Sequence, residues 1–96
     1  MASIRLSASG LADIERLATF LRESDVAAAA GTAQVIMEGL GILMRHPLVG
    51  RPLEGGRREL VIHRGRAGYL AQYSYDALAD EIVVVALRHQ REVDPD

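Results

Sequence analysis

The chain has 96 residues, 49% of them apolar and 25% charged, the make-up of one small globular domain over 1–96 rather than a disordered tail or a pair of domains. It has no cysteine, which excludes disulfide scaffolds, thiolate zinc sites and cysteine nucleophiles. The formal net charge is −2, yet residues 57–91 carry six arginines against four acids, and all eleven basic residues are arginine.

The apolar set is small-bodied, with fourteen alanines, one phenylalanine, three tyrosines and no tryptophan, so the core calls for closely approaching helices. The longest wholly apolar run, 82–87, has six residues, against about 20 for a membrane span. No basic segment followed by a long apolar one opens the chain, and a cytoplasmic location is expected.

In chain order, residues 3–7 alternate around Ile4 and Leu6 and predict a short edge strand. Ser9 is the expected cap of a helix of about four turns with Leu11, Ile14, Leu17, Ala18 and Leu21 on its buried stripe. Asp25 is a second N-cap, and 26–44 reads as one continuous helix. Its seam, Ala29, Ala33, Ile36, Leu40 and Leu43, suits an antiparallel neighbour. Gly39 and Gly41 predict close backbone contact or a curve near its end, and Pro47 stops it.

Residues 46–56 form a loop, with Gly55 and Gly56 as a turn. Period then changes from helical to extended: strands at 59–63, 69–75 and 82–89, separated by turns at 64–68 and 76–81. Tyr69, Ala71, Tyr73 and Tyr75 share one face, and that alternation points to packing under the helices rather than to stacking on bases. The last strand is apolar on both faces up to Arg88, as suits a central strand, and the first strand is expected beside it at an edge. Helices and strands are segregated, so the fold class is α+β: a β-α-α-β-β-β order with a helical hairpin packed on a small, mainly antiparallel sheet.

Motifs for chemistry are few. His46, His63 and His89 lack metal-ligand spacing, no phosphate-binding glycine loop follows a strand, and no metal or cofactor is expected. What remains is a basic set on the sheet. Arg57, Arg58, His63, Arg64 and Arg66 border one strand, while Arg88, His89 and Arg91 close the last. If the two strands run antiparallel through a shared neighbour or touch directly, the set forms a single rim able to grip phosphates or acidic side chains.

The run RELVIHRGRAGYLAQYSYD, then EIVVVALRHQRE, after an alanine-rich hairpin ending in HPLVGRP, resembles the toxins of the RelE/ParE superfamily. The likeness extends from Leu6 to Glu92. Its most specific parts are the Pro47–Gly50–Arg51 loop, the Gly68–Tyr69…Tyr73 strand and the closing LRHQRE. It implies the toxin of a type II toxin–antitoxin pair, neutralised by a cognate antitoxin whose disordered segment folds across helices and sheet. Operator DNA would be reached mainly through the antitoxin.

Two activities divide the superfamily. Members like RelE cut mRNA on the ribosome, and members like ParE poison DNA gyrase without catalysis of their own. Here the last aromatic residue is Tyr75, so the C-terminal tyrosine common among the nucleases is missing, as are their lysines. Under the nuclease alternative Arg64, Arg66, His89 and Arg91 would be catalytic, with His89 as general acid and Arg57 and Arg58 as further phosphate clamps. The resemblance favours the ParE branch, with Arg57, Arg58, Arg64, Arg66, Arg88, His89 and Arg91 as target contacts and no catalytic residue. An inactive or purely binding module is the second alternative.

Overall fold

In the computed structural model, which describes residues 1–23, 25–64 and 67–93, strand β1 (Ser3–Leu6) passes without a linker into helix α1 (Ala8–Arg22). Ser7 is the cap: its N–H donates to the Val84 carbonyl at 2.9 Å, ending the strand ladder, and its Oγ accepts from the Gly10 amide at 3.1 Å. The helix therefore starts earlier than a Ser9 cap implies. Ser9 instead donates its hydroxyl to the Val85 carbonyl at 2.9 Å. The buried stripe is Gly10, Leu17 and Leu21, with Ile14 and Ala18 half-buried, and Leu11 is turned out to 55% exposure. Gly10 is required there, because a Cβ would meet the Val84 carbonyl oxygen at 2.8 Å.

The second expected helix is broken into three. Asp25 caps helix α2 (Val26–Ala30) by accepting from the Ala28 amide at 3.0 Å. The axis kinks at Gly31 and resumes as helix α3 (Thr32–Leu40), which tightens into a 3-10 turn over Gly41–Met44. The buried seam is Ala29, Thr32, Ile36, Leu40 and Leu43. Ala33 faces solvent, since the kink rotates α3 and puts Thr32 inward, its hydroxyl donating to the Ala28 carbonyl at 2.9 Å.

The two glycines near the helix end behave differently. A Cβ on Gly39 would lie 2.4 Å from Cγ2 of Ile62, whereas one on Gly41 meets nothing within 4 Å. Gly39→Ala is expected to destabilise the fold by about 1–3 kcal/mol through overpacking. Gly41→Ala, at an ordinary φ of −56°, should stabilise it by about 0.5–1 kcal/mol. Urea melts of the two variants check both signs.

The 46–56 loop contains a two-residue strand, β2 (Arg51–Pro52), which makes the sheet five-stranded. It is followed by β3 (Arg58–Arg64), β4 (Ala67–Asp76) and β5 (Glu81–His89), and the described chain closes on a one-turn helix, α4 (Gln90–Val93). The sheet order is β1-β5-β4-β3-β2, parallel between β1 and β5 and antiparallel elsewhere. The first strand does lie at the edge beside the last.

The core lies between the helices and one sheet face: Leu17, Ile36, Leu40, Leu43, Tyr69, Tyr73, Ile82, Val84 and Leu87 are each at most 1% exposed. Tyr69 and Tyr73 are core side chains, and Tyr75 is half-buried. In β5 the inward parity changes from Ile82 and Val84 to Leu87 and His89. The pairs Tyr73↔Val84 and Gln72↔Ala86 leave Val85 as the extra residue of a β-bulge. No helix among the described residues is long and apolar enough to cross a membrane.

Candidate functional site

The basic residues do not form one rim. Strands β3 and β5 both run antiparallel to β4 and so point the same way. Arg58 and Arg64 sit at opposite ends of β3, six residues or about 20 Å apart. Arg57 and Arg58 lie near the start of β5, whereas Arg64, Arg88, His89 and Arg91 gather at its finish. Arg66 and the side chain of Arg64 lie outside the described residues.

Arg58 is a structural clamp, its Nη1 donating to the Leu48 carbonyl at 3.0 Å and to the Gly50 carbonyl at 2.9 Å. Arg57 is exposed on the approach to β3. Arg88 is exposed on the sheet face turned away from the helices, in register with Leu70 and, through it, Val61. Arg91 is exposed on α4.

His89 lies inside. It is 2% exposed, edge-on to Tyr69 at 5.2 Å between ring centroids and tilted against Phe20 at 6.0 Å. Its Nδ1 accepts from the Arg91 amide at 3.0 Å, which places the proton of the neutral ring on Nε2. Burial first, then the Arg91 cation, push its pKa below the ordinary 6.5, with Glu92 pulling the other way. A ring so placed is neutral at neutral pH and out of reach of a leaving group.

β1 pairs with β5 only as far as Val84, and beyond it side chains close that side of β5, whose other side stays paired with β4. Ser9 reaches the Val85 carbonyl, Asp13 Oδ2 accepts from the Leu87 amide at 2.9 Å, and Arg16 Nη2 donates to the Leu87 carbonyl at 2.8 Å. Glu92 Oε1 accepts from the His89 amide at 3.0 Å, and its other oxygen pairs with Arg16, tying α4 to α1. Asp13, Arg16, Ala86, Arg88 and Glu92 line an open cleft of about 380 Å³ there. Asp13 and Arg16 stand off the apolar stripe of α1, on the side that meets the β5 edge. The available signal was the spacing 9, 13, 16, a polar line along one helix face.

At the other end of the sheet, the 45–51 segment is held rigid. The Gly50 amide donates to the Tyr73 hydroxyl at 2.9 Å, the Arg58 clamp holds two carbonyls, and Arg51 pairs with Glu59 at 2.7 Å. Tyr75 stands beside it, its hydroxyl donating to Asp80 Oδ1 at 2.7 Å. That hydrogen bond, more than desolvation or the Asp80 and Asp76 charges, raises the phenol above its ordinary 10.0. Among the described residues no group of three or more His, Asp or Glu is placed to hold a metal ion.

Side-chain-capped sheet, covered face and open face together define a small α+β fold, and known structures share it. The chain is similar to the toxin fold of a chromosomal ParDE system from P. aeruginosa, at 22% identity over 91% of this chain and 94% of that one, with a TM-score of 0.74. The RelBE2 toxin–antitoxin complex from Mycobacterium tuberculosis matches at 24% identity, 92% and 96% coverage and a TM-score of 0.63. The intact E. coli RelBE complex matches at 14% identity, 91% and 94% coverage and 0.61. A search of curated proteins returned no match. The family model for the ParE toxin of the type II toxin–antitoxin system parDE matches residues 4–94, and the chain belongs to that family.

Proposed function

We propose that this toxin is neutralised by a cognate antitoxin and, when free, arrests growth by docking on DNA gyrase, with no chemical step of its own. The position of His89 supports this reading over ribosome-dependent mRNA cleavage. The nuclease alternative needs a general acid at the end of β5, and the residue available for it is a buried, neutral ring whose Nδ1 is occupied by the Arg91 amide. Arg58, assigned to phosphate under that alternative, is spent on the Leu48 and Gly50 carbonyls.

The exposed Arg57, Arg88 and Arg91, together with Arg64 and Arg66, are the proposed contacts to the target. Guanidinium groups suit carboxylates and phosphates alike. The antitoxin is proposed to fold across the helices and the open sheet face, and to be the part that meets operator DNA. Purified toxin added to gyrase and supercoiled plasmid is expected to accumulate cleaved DNA. Unaffected supercoiling at saturating toxin would reject gyrase as the target, and cuts in a message on the ribosome would restore the nuclease reading.

A further inference from the structure

Arg16, midway along α1, reaches residues at the opposite end of the sequence. Its Nη2 donates to the Leu87 carbonyl at 2.8 Å and lies 3.4 Å from Asp13 Oδ1, while Nη1 pairs with Glu92, 76 residues away. The other Glu92 oxygen accepts from the His89 amide at 3.0 Å. One guanidinium therefore joins α1, β5 and α4.

Helix α4 depends on that clasp. A single turn of four residues has too few backbone hydrogen bonds to persist by itself. Its other attachments include the Arg91 amide on His89 Nδ1 at 3.0 Å and the approach of Gln90 to Gly68, where an added Cβ would lie 2.7 Å from Gln90 Oε1. The clasp is partly in solvent, with the Arg16 side chain 43% exposed and that of Glu92 20%, so it adds little to global stability. Its effect is local, on how often α4 lies against α1. Beside it Arg88 lines the cleft, is exposed, and makes no ion pair among the described residues, and Arg91 is exposed on α4 itself.

We propose that Arg16 is a positioning residue for the toxin's action: by holding Glu92 it keeps α4 docked and so sets Arg88 and Arg91 in one arrangement for the target, without touching the target itself. The inference rests on the reading that these arginines meet the target, and not on gyrase in particular. Two carboxylates already balance the Arg16 charge, which suits a brace rather than a contact. A toxin whose α4 is docked for a tenth of the time binds its target about tenfold less tightly, because affinity scales with the competent fraction.

The test compares Arg16→Met and Glu92→Gln in the full chain, with cooperative thermal melting to establish that each is folded. Glutamine keeps an oxygen for the His89 amide and loses the charge that holds Arg16. Docking of α4 is read from hydrogen exchange of the Arg91 amide, whose acceptor neither substitution alters. Each variant is expected to speed that exchange about tenfold and to need about ten times more toxin for growth arrest, and the double variant should be no worse than either single one. Arg16→Lys, which keeps the charge, should recover part of both. Undiminished arrest by the folded variants overturns the proposal, whatever their exchange. Weakened arrest with exchange unchanged also overturns it, by making Arg16 a direct contact. Undiminished arrest by the Arg88→Ala/Arg91→Ala pair would remove the contact reading and the inference with it, whereas loss of arrest there and none in Arg16→Met overturns the inference alone.

Discussion

Gly50→Ala is expected to lower stability by about 2–3 kcal/mol, through overpacking against a side chain and a backbone that cannot both retreat. A Cβ at this position would lie 2.7 Å from both Cε1 and the hydroxyl oxygen of Tyr73 and 2.9 Å from the Glu59 carbonyl oxygen. The tyrosine is fully buried and the carbonyl belongs to β3, so the loop must lift. Lifting it breaks the Gly50 amide bond to Tyr73 and loosens the Arg58 clamp together. For a domain of this size the melting temperature should fall by roughly 10–20 °C. Tyr73→Phe, which removes only the hydroxyl acceptor, should cost about 1 kcal/mol. Thermal melts of the two variants measure the difference, and equal losses would show that the hydrogen bond rather than the close approach is what matters.

The second large effect concerns His89. Its pKa is depressed in the folded chain relative to the ordinary 6.5, so as pH falls the unfolded chain takes up the proton first. The contribution of the neutral ring to stability is fully present above about pH 6.5 and is lost as pH drops through the lower folded value. Protonation also removes the Nδ1 acceptor of the Arg91 amide and sets a cation beside Arg91, so α4 should loosen in the same range. His89→Asn keeps a side-chain acceptor, and is expected to cost about 1–2 kcal/mol at neutral pH while flattening the decline below about pH 6.5. Urea melts across that range check the slope. The same folded variant should arrest growth like the wild type if docking is the activity, and should be harmless if His89 is an acid catalyst.

Much of this architecture could be read from periodicity. Alternation in β3 and β4, the apolar run of β5 and the stripe of α1 located the layers, and the Asp25 cap was legible because its partner is three residues away. What was hidden depended on residues distant in the chain. Ser7 rather than Ser9 caps α1 because Val84 draws the Ser7 amide into the strand ladder. Strand β2 is two residues long and exists through its pairing with Arg58 and Glu59, so no local pattern marks it. The apolar letters of 82–87 concealed a bulge at Val85, since a run without polar residues does not record which face each side chain takes.

The candidate site was less legible for a directional reason. Arginines at 57, 58, 64 and 66 look like one cluster on paper, but an extended strand carries its two ends far apart, and β3 and β5 proved parallel to each other across β4. His89, expected as a target contact or as a general acid under the nuclease alternative, is instead 2% exposed. Alternation alone puts it on the face opposite Arg88, among Tyr69 and Phe20.

The claim on which the functional account depends is that the toxin works by occupying its target and not by turning over. Titrating purified toxin against a fixed amount of gyrase, held well above the dissociation constant, tests this directly. The account predicts that supercoiling falls in proportion to added toxin and is exhausted near one toxin per binding site. Complete loss at a small fraction of that ratio, growing with time of incubation, would reveal a catalyst and contradict it.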